Sequence, residues 1–222
     1  QMDAIEFAVN NEGLGLVMIG GEQSFGAGDW RDPPVEKALP VEMDIKQETT
    51  IPNGALMLVM HSCEFPDGNR WGIQICQASI DTLSAKDQVG LIQYGNMGGV
   101  EFVFRLQTAS NKKKLKQLAG TMNPGDMPDF DAVFVKALDE LKPANAAVKH
   151  MILLSDGDPS PPRPEVLAAY RDAKITCSTV IICPHGGRNG PEHMFMQRLA
   201  NALGGKCYYV DNPKELPKIF QR

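Results

Sequence analysis

Two short polar segments of the sequence carry side chains that could do chemistry. His61 and Cys63 follow the apolar run Ala55–Met60, and Asp156 follows the strand-like run Val148–Ser155. Imidazole, thiolate and carboxylate groups are suitable ligands for Zn²⁺ or another borderline transition metal. Side chains two residues apart on an extended strand share a face, so the imidazole could also meet the thiol and lower its pKa. These residue types therefore indicate a metal site or thiol chemistry.

An enzyme would need more than a thiol and a neighbouring base. The sequence identifies no set of oxyanion donors near Cys63, so we predict that the protein is not an enzyme. Metal- or thiol-dependent catalysis by His61 and Cys63, with Zn²⁺, is the alternative. A Cys63 thiol that is alkylated much faster than a free thiol at neutral pH would favour that alternative.

The candidate residues depend on a sheet to bring them together. From Gly54 onward, apolar runs alternate with amphipathic stretches at helical spacing, which predicts a sheet covered by helices on both faces. Only Gly95–Gly99 joins the second and third strands, so these two form an antiparallel hairpin at the edge of the sheet. The fold class is therefore α/β, with a doubly wound, mostly parallel, six-stranded sheet and one antiparallel edge strand. The strands are predicted over residues 55–61, 89–94, 100–106, 148–155, 176–183 and 207–210, and the helices over residues 70–83, 112–118, 131–141, 164–173, 193–203 and 213–220.

Residues 1–50 have a different pattern. An apparent helix over Met2–Val9 precedes the glycine-bounded apolar run Gly13–Gly21, which predicts a buried strand, and a stretch rich in glycine and proline follows. One helix and one strand cannot close a core, so we expect residues 1–50 to be a fragment of an α/β domain and residues 51–222 to be the main domain. The orphan strand would expose unpaired backbone groups, so it is predicted to join the main sheet or to pair with a second copy as a homodimer.

Composition argues against several functions. The net charge of −5 and the pI near 5.4 leave no basic excess, which argues against nucleic acid as a partner. The basic run Lys112–Lys116 is typical of the solvated face of a helix. No segment approaches the ~20 apolar residues of a transmembrane helix, so direct membrane insertion is not expected. The five cysteines have no C-x-x-C spacing and predict free thiols. The compartment stays open between a bacterial cytoplasm and periplasm, with a membrane anchor elsewhere in a parent protein as an alternative.

The segment His150-Met-Ile-Leu-Leu-Ser-Asp-Gly-Asp158 resembles the fourth strand of the von Willebrand factor A-type (integrin I-like) fold, an apolar run followed by Thr/Ser-Asp-Gly. Together with the first strand and the helix over residues 131–141, the resemblance covers about Ile51–Arg222. It implies a crevice at the carboxyl ends of the strands. There the family holds Mg²⁺ or Mn²⁺ through Asp-x-Ser-x-Ser, a threonine and a later aspartate, and a partner's carboxylate completes the octahedron.

The metal motif of the family is altered in this sequence. His61 stands in place of its first aspartate, and Cys63 and Phe65 stand in place of its two serines. The later aspartate is retained as Asp156. The resemblance thus implies a degenerate metal-ion-dependent adhesion site, and we do not expect a resident cofactor.

Three alternatives stay open for this crevice. The family's threonine aligns best with Pro128, with an offset onto Asp126 or Asp129 as the alternative. His61 could be a structural histidine, hydrogen-bonded to the retained aspartate or to a loop carbonyl, with Cys63 packed as a small apolar residue. The crevice could instead be rebuilt for Zn²⁺, with Mg²⁺ as the weaker candidate. The metal ligands proposed on that basis are His61, Cys63, Asp129 and Asp156, with Glu64 and His185 as extras.

The N-terminal segment Leu16–Trp30 resembles the Gly-Gly-x-x-Ser-Phe-Gly segment of glutamine amidotransferase-like domains in large bacterial multidomain proteins. In those proteins a von Willebrand A domain lies beside or within that domain. Residues 1–50 contain neither cysteine nor histidine, so the resemblance implies no amidotransferase chemistry here. A purely structural role, in which the main domain braces the interrupted domain, is a further alternative.

The function that we predict is a non-catalytic protein-interaction or scaffold module. A stiff, proline-rich loop between Asp158 and Pro164 lies at the rim of the expected crevice, and binding residues often sit on loops held by a rigid sheet. The crevice and this loop would be presented to a protein partner or to a neighbouring domain of the parent chain. The predicted partner-binding residues on the loop are Asp158, Ser160 and Arg163.

Overall fold

The computed structural model of the protein describes residues 2–19, 37–39, 53–63 and 67–210. The chain divides into two compact units, Gln1–Ile51 and Pro52–Arg222. In the first unit, helix α1 (Met2–Glu12) buries none of its residues.

The strand predicted over Gly13–Gly21 is not formed in its described part, residues 13–19. Val17 and Ile19 are 85% and 93% exposed. A strand needs a neighbouring strand for its backbone N–H and C=O groups, and the described part of the first unit offers none. Pairing of this segment with a second copy stays a prediction.

The second unit contains a six-stranded sheet. Its strands are β1 (Gly54–Met60), β2 (Gln88–Tyr94), β3 (Val100–Thr108), β4 (Val148–Ser155), β5 (Ile175–Ile182) and β6 (Gly204–Val210). The order across the sheet is β3-β2-β1-β4-β5-β6. Strand β3 pairs antiparallel with β2, and the other neighbours pair in parallel. The predicted α/β fold class is therefore confirmed, with the antiparallel strand at the edge.

Helices follow most of the strands. They are α2 (Gly68–Thr82), α3 (Lys112–Ala119), α4 (Asp131–Leu141), α5 (Pro164–Asp172) and α6 (Pro191–Ala202). The helix predicted over residues 213–220 lies outside the described residues. No helix in the described part of the chain is long and apolar enough to cross a membrane.

The sheet is covered on both faces, because successive residues of a strand point to opposite sides. Met57 on β1 and Met151 on β4 belong to the core that the sheet forms with α4, α5 and α6. Leu58 and Leu154, one and three residues further along their strands, belong to the core on the other face, with α2 and α3. These central strands therefore need apolar residues at nearly every position.

The carboxyl ends of β1 and β4 place the candidate residues side by side. The two strands pair in parallel, with Met60 opposite Leu154. The backbone N–H of His61 extends this pairing by donating to the carbonyl of Leu154 at 2.9 Å. From here the sheet continues through β2 on one side and β5 on the other, which is the switch point where ligands bind in open α/β sheets.

A buried tyrosine ties together the two helices that begin beside this switch point. The Tyr170 hydroxyl on α5 donates to the Phe134 carbonyl on α4 at 2.9 Å and lies 3.3 Å from the sulfur of Met151 on β4. Tyr170 is fully buried. The hydroxyl therefore fixes α4 and α5 relative to the strand that carries Asp156.

Replacing Tyr170 by phenylalanine tests this role. We expect Tyr170→Phe to lower the free energy of unfolding by about 1 kcal/mol, because it removes a buried hydrogen bond while keeping the ring. Urea denaturation measures the change. The matched control is Tyr94→Phe, at a half-buried tyrosine whose hydroxyl makes no hydrogen bond within the described residues. An equal loss in both variants would contradict the assignment.

Candidate binding crevice

The imidazole of His61 is the buried centre of the crevice. His61 is 2% exposed. The backbone N–H of Met127 donates to its Nε2 at 3.3 Å, and its Nδ1 lies 3.0 Å from the Ser155 hydroxyl. A backbone amide can only donate, so Nε2 carries no proton and the ring proton sits on Nδ1. His61 is thus a neutral imidazole that accepts on one side and donates on the other.

The Ser155 hydroxyl connects this imidazole to Asp156. Its Oγ donates to Asp156 Oδ1 at 3.2 Å and accepts the backbone N–H of Gly157 at 3.0 Å. With the Nδ1–H of His61, the hydroxyl uses its one proton and both lone pairs. Asp156 Oδ1 also lies 3.4 Å from His61 Nδ1. The orientation of each side chain is therefore fixed by the next.

The Asp156 carboxyl is held in its charged form. Burial alone would raise its pKa, but the hydrogen bond of His61, the charge that this imidazole carries when it is protonated, and hydrogen bonds from Asp158 lower the pKa from 3.8 to about 2. The second oxygen, Oδ2, is buried and accepts no hydrogen bond from the described residues. The His185 Nε2 lies 3.8 Å from this oxygen, on a side chain that is 66% exposed. Within the described part of the chain, this buried, ionised oxygen therefore has no hydrogen-bond donor.

Two further aspartates flank this centre. His61, Asp156 and Asp158 each offer one ligand atom, and the three atoms lie within 4.8 Å of one another. Asp126 Oδ1 lies 3.7 Å from His61 Nε2, on a side chain that is 74% exposed. The crevice is therefore lined by carboxylates from two loops around one imidazole.

Glycine at position 157 permits this arrangement. Gly157 has a φ of 93°, a backbone conformation that side chains other than glycine rarely adopt. A Cβ atom there would also lie 3.0 Å from Glu192 Cβ. The Asp-Gly-Asp turn can therefore bring Asp158 back beside Asp156.

The structure brings together only some of the residues predicted from the sequence. His61 and Asp156 meet, and His185 reaches Asp156. Asp129 does not join the group of three, because its Oδ1 accepts the Ala132 N–H at the start of α4. The half-buried Cys63 does not join it either. Glu64 lies outside the described residues.

Asp126 was the alternative offset for the family's threonine, and the structure places it, rather than Asp129, beside His61. The proposed ligand set included neither Asp126 nor Asp158, which was predicted only as a partner-binding residue. The sequence signal was the presence of two aspartates in the segment Gly125–Phe130. Their spacing alone did not show which of the two enters the crevice.

The rim loop is rigid. The backbone of Ser160 pairs with the segment before α4, through N–H to the Pro128 carbonyl at 3.1 Å and C=O to the Phe130 amide at 2.9 Å. Arg163 places both its backbone N–H and its Nε 2.9 Å from the Asp131 carboxylate. The Arg163 side chain thus holds the loop in place, whereas Asp158 and Ser160 are exposed.

Comparisons with known proteins agree with this fold. The family model of the von Willebrand factor type A domain matches residues 74–222, more than half of the chain, and the chain belongs to this family. Domains of this family are commonly protein-interaction or adhesion modules. A comparison with curated proteins gave no match.

Three solved structures illustrate the similarity. A von Willebrand factor type A protein from Catenulispora acidiphila is 22% identical, with a TM-score of 0.61 over 76% of this chain and 41% of that one. The pilus adhesin SpaC from Lactobacillus rhamnosus GG is 15% identical, with a TM-score of 0.59 over 78% and 30%. Proximal thread matrix protein 1 from the mussel byssus, described with a zinc-occupied MIDAS motif, is 14% identical, with a TM-score of 0.59 over 76% and 46%. This chain therefore spans less than half of each of these proteins, and the likeness shows the fold.

The lowered pKa of Asp156 predicts an acid-sensitive contribution to stability. Because the folded-state pKa of about 2 lies below the ordinary value of 3.8, the contribution is present above about pH 4 and is lost as the pH falls towards 2. We expect the difference in unfolding free energy between the native protein and Asp156→Asn to shrink by about 2 kcal/mol between about pH 5 and pH 2.

Urea denaturation at a series of pH values measures this difference. Tyr170→Phe is the matched control, since it destabilises the domain without removing a carboxylate and should keep the native pH profile. A difference between the native protein and Asp156→Asn that stays constant with pH would contradict the account.

Proposed function

We propose that this domain is a non-catalytic binding module that holds a protein partner in the crevice around Asp156, without a resident metal ion. The Asp156 carboxylate carries the proposal, because it is buried and ionised and its Oδ2 lacks a hydrogen-bond donor within the described residues. A buried acceptor left without a donor costs about 1–3 kcal/mol. A partner that supplies the donor removes this cost and gains affinity.

A resident hard cation does not fit the residues of this crevice. Where the family has an aspartate and two serines, this chain has His61, Cys63 and Phe65, so three oxygen ligands are missing. His61 is not free to replace them, because Nε2 accepts the Met127 amide and Nδ1 faces the Ser155 hydroxyl. A zinc ion at His61 would first have to break one of these hydrogen bonds. The degenerate adhesion site is therefore better explained as a site that works through its own side chains.

The same hydrogen bonds weigh against a thiol-dependent enzyme. A general base needs a ring nitrogen that can take the proton of the thiol, and both nitrogens of His61 are engaged. Another thiol, the exposed Cys183 at the end of β5, is not activated, because partial burial and the negative charge of Asp156 raise its pKa. Non-catalytic binding is the function that these groups support best.

The rim loop provides the rest of the contact surface. Asp158 and Ser160 are exposed, while backbone hydrogen bonds to Pro128 and Phe130 hold the loop. A loop that is already ordered loses little conformational entropy on binding. The predicted partner-binding role of Arg163 is indirect in this account, since its side chain pairs with Asp131.

Cross-linking from the rim loop tests the proposal. We expect a photo-reactive benzoylphenylalanine at Ser160 to cross-link a partner protein in cells that express the full chain, with or without EDTA in the lysis and irradiation buffer. Adding Asp156→Asn should lower the yield at least severalfold, because the crevice loses its charge. Mass spectrometry of the product identifies the partner and the contact.

The control places the same photo-reactive residue at Asn145, an exposed position before β4 and therefore at the opposite end of the sheet. Its products should not depend on Asp156. Equal yields from Ser160 with and without the aspartate would remove the crevice from the account. A product joining Ser160 to residues 1–50 of the same chain would indicate the structural brace instead.

A further inference from the structure

The chemistry of the partner can be read from the buried oxygen of Asp156. The Asp156 side chain is 3% exposed, and its Oδ2 accepts no hydrogen bond from any described residue. Oδ1, by contrast, is surrounded by donors from Ser155, His61 and Asp158. An ionised carboxylate can accept about four hydrogen bonds. Among the described residues the donors lie at Oδ1, so Oδ2 is the oxygen that lacks one. The missing group is a hydrogen-bond donor.

The charges around this oxygen favour a cation over a neutral donor. Asp126 and Asp158 are exposed carboxylates on the two sides of the crevice, and both lie near His61. The His61 imidazole is neutral, because its Nε2 accepts a hydrogen bond from the Met127 amide. A carboxylate from a partner would be repelled here unless a metal ion lay between, and the ligand set does not fit a resident hard cation.

One side chain of the protein, that of His185, already approaches Oδ2 of Asp156. His185 Nε2 lies 3.8 Å from Asp156 Oδ2, too far for a hydrogen bond, at the exposed side of the crevice. This imidazole nitrogen comes from the loop after β5, which begins with a positive φ at Cys183. A side-chain nitrogen can therefore come within 3.8 Å of Oδ2 from the exposed side of the crevice.

We infer that the crevice recognises an arginine side chain of the protein partner, held by Asp156 and flanked by Asp126 and Asp158. The inference rests on the proposed function and adds the identity of the group that is bound. A guanidinium presents five N–H donors in a planar fork, so it can reach Asp156 Oδ2 and an exposed carboxylate at once. A lysine ammonium offers a point charge without this fork. The charge preference is thus opposite to that of a metal-dependent site that binds a carboxylate.

The probe that tests the inference is N-acetyl-L-arginine amide, and its neutral control is N-acetyl-L-citrulline amide, which keeps the shape of the side chain without the charge. Backbone amide signals of the ¹⁵N-labelled full chain are followed during titration in EDTA. We expect saturable shifts at Met127, Gly157 and Asp158 with the arginine probe and none with citrulline. N-acetyl-L-lysine amide should bind more weakly than the arginine probe.

Variants separate the contribution of each carboxylate. Asp156→Asn should weaken binding of the arginine probe at least about tenfold, since a hydrogen bond between two charged groups is lost. Asp126→Asn, at an exposed side chain that cannot affect the core, should weaken it severalfold. Asp139→Asn on α4, which is exposed and lies outside the crevice, is the matched control and should bind like the native protein. Dispersed amide spectra confirm that each variant is folded.

Three outcomes would overturn the inference. They are equal shifts with arginine and citrulline, no shifts with arginine at any concentration tested, and shifts that require N-acetyl-L-aspartate amide together with Mg²⁺. If the Ser160 cross-link still depends on Asp156 in any of these cases, the proposed binding function stands and only the cationic group is wrong. If the cross-link is also independent of Asp156, both fail.

Discussion

The hydrogen bond from the Met127 amide to Nε2 of His61 is the interaction on which the crevice depends. It places the ring proton on Nδ1, and that proton orients the Ser155 hydroxyl, which in turn donates to Asp156. Each donor in this series of hydrogen bonds has one acceptor, so a change at either end of the series would disturb all of its members. The sheet makes the chain of bonds feasible, because parallel pairing of β1 and β4 brings His61 and Asp156 out at the same edge.

This arrangement has an electrostatic consequence for the family to which the chain belongs. A hard cation in such a crevice would be held by oxygen atoms, and its charge would attract an anionic partner. Here an imidazole that accepts the Met127 amide occupies the centre, beside the buried, ionised carboxylate of Asp156. Under the proposed function, histidine at position 61 in place of the family's aspartate changes more than one ligand, since the crevice would then attract a cationic group of the partner.

The sequence predicted the sheet well because strand burial leaves a periodic trace in apolar residues, and the bounds of α4 and β4 match those predicted. His61 and Asp156 could be located because they end predicted strands. The choice between Asp126 and Asp129 could not be made, since a loop of unknown path has no periodicity. The role of the Met127 amide could not be predicted from the sequence, because every residue except proline carries the same backbone donor. The predicted N-terminal strand is not formed over residues 13–19, because an apolar run forms a strand only beside a partner strand and the described part of the first unit offers none.

The tautomer of His61 is the most direct measurement of the central claim, that the imidazole is satisfied by the protein and not by a metal ion. Long-range ¹H–¹⁵N correlation spectra of protein purified without chelator at neutral pH report the state of each ring nitrogen, and His61→Gln assigns the signal among the four histidines. The account predicts a proton on Nδ1 and an unprotonated Nε2, with no change on adding EDTA. A proton on Nε2, or a signal that shifts when metal is removed, would contradict it.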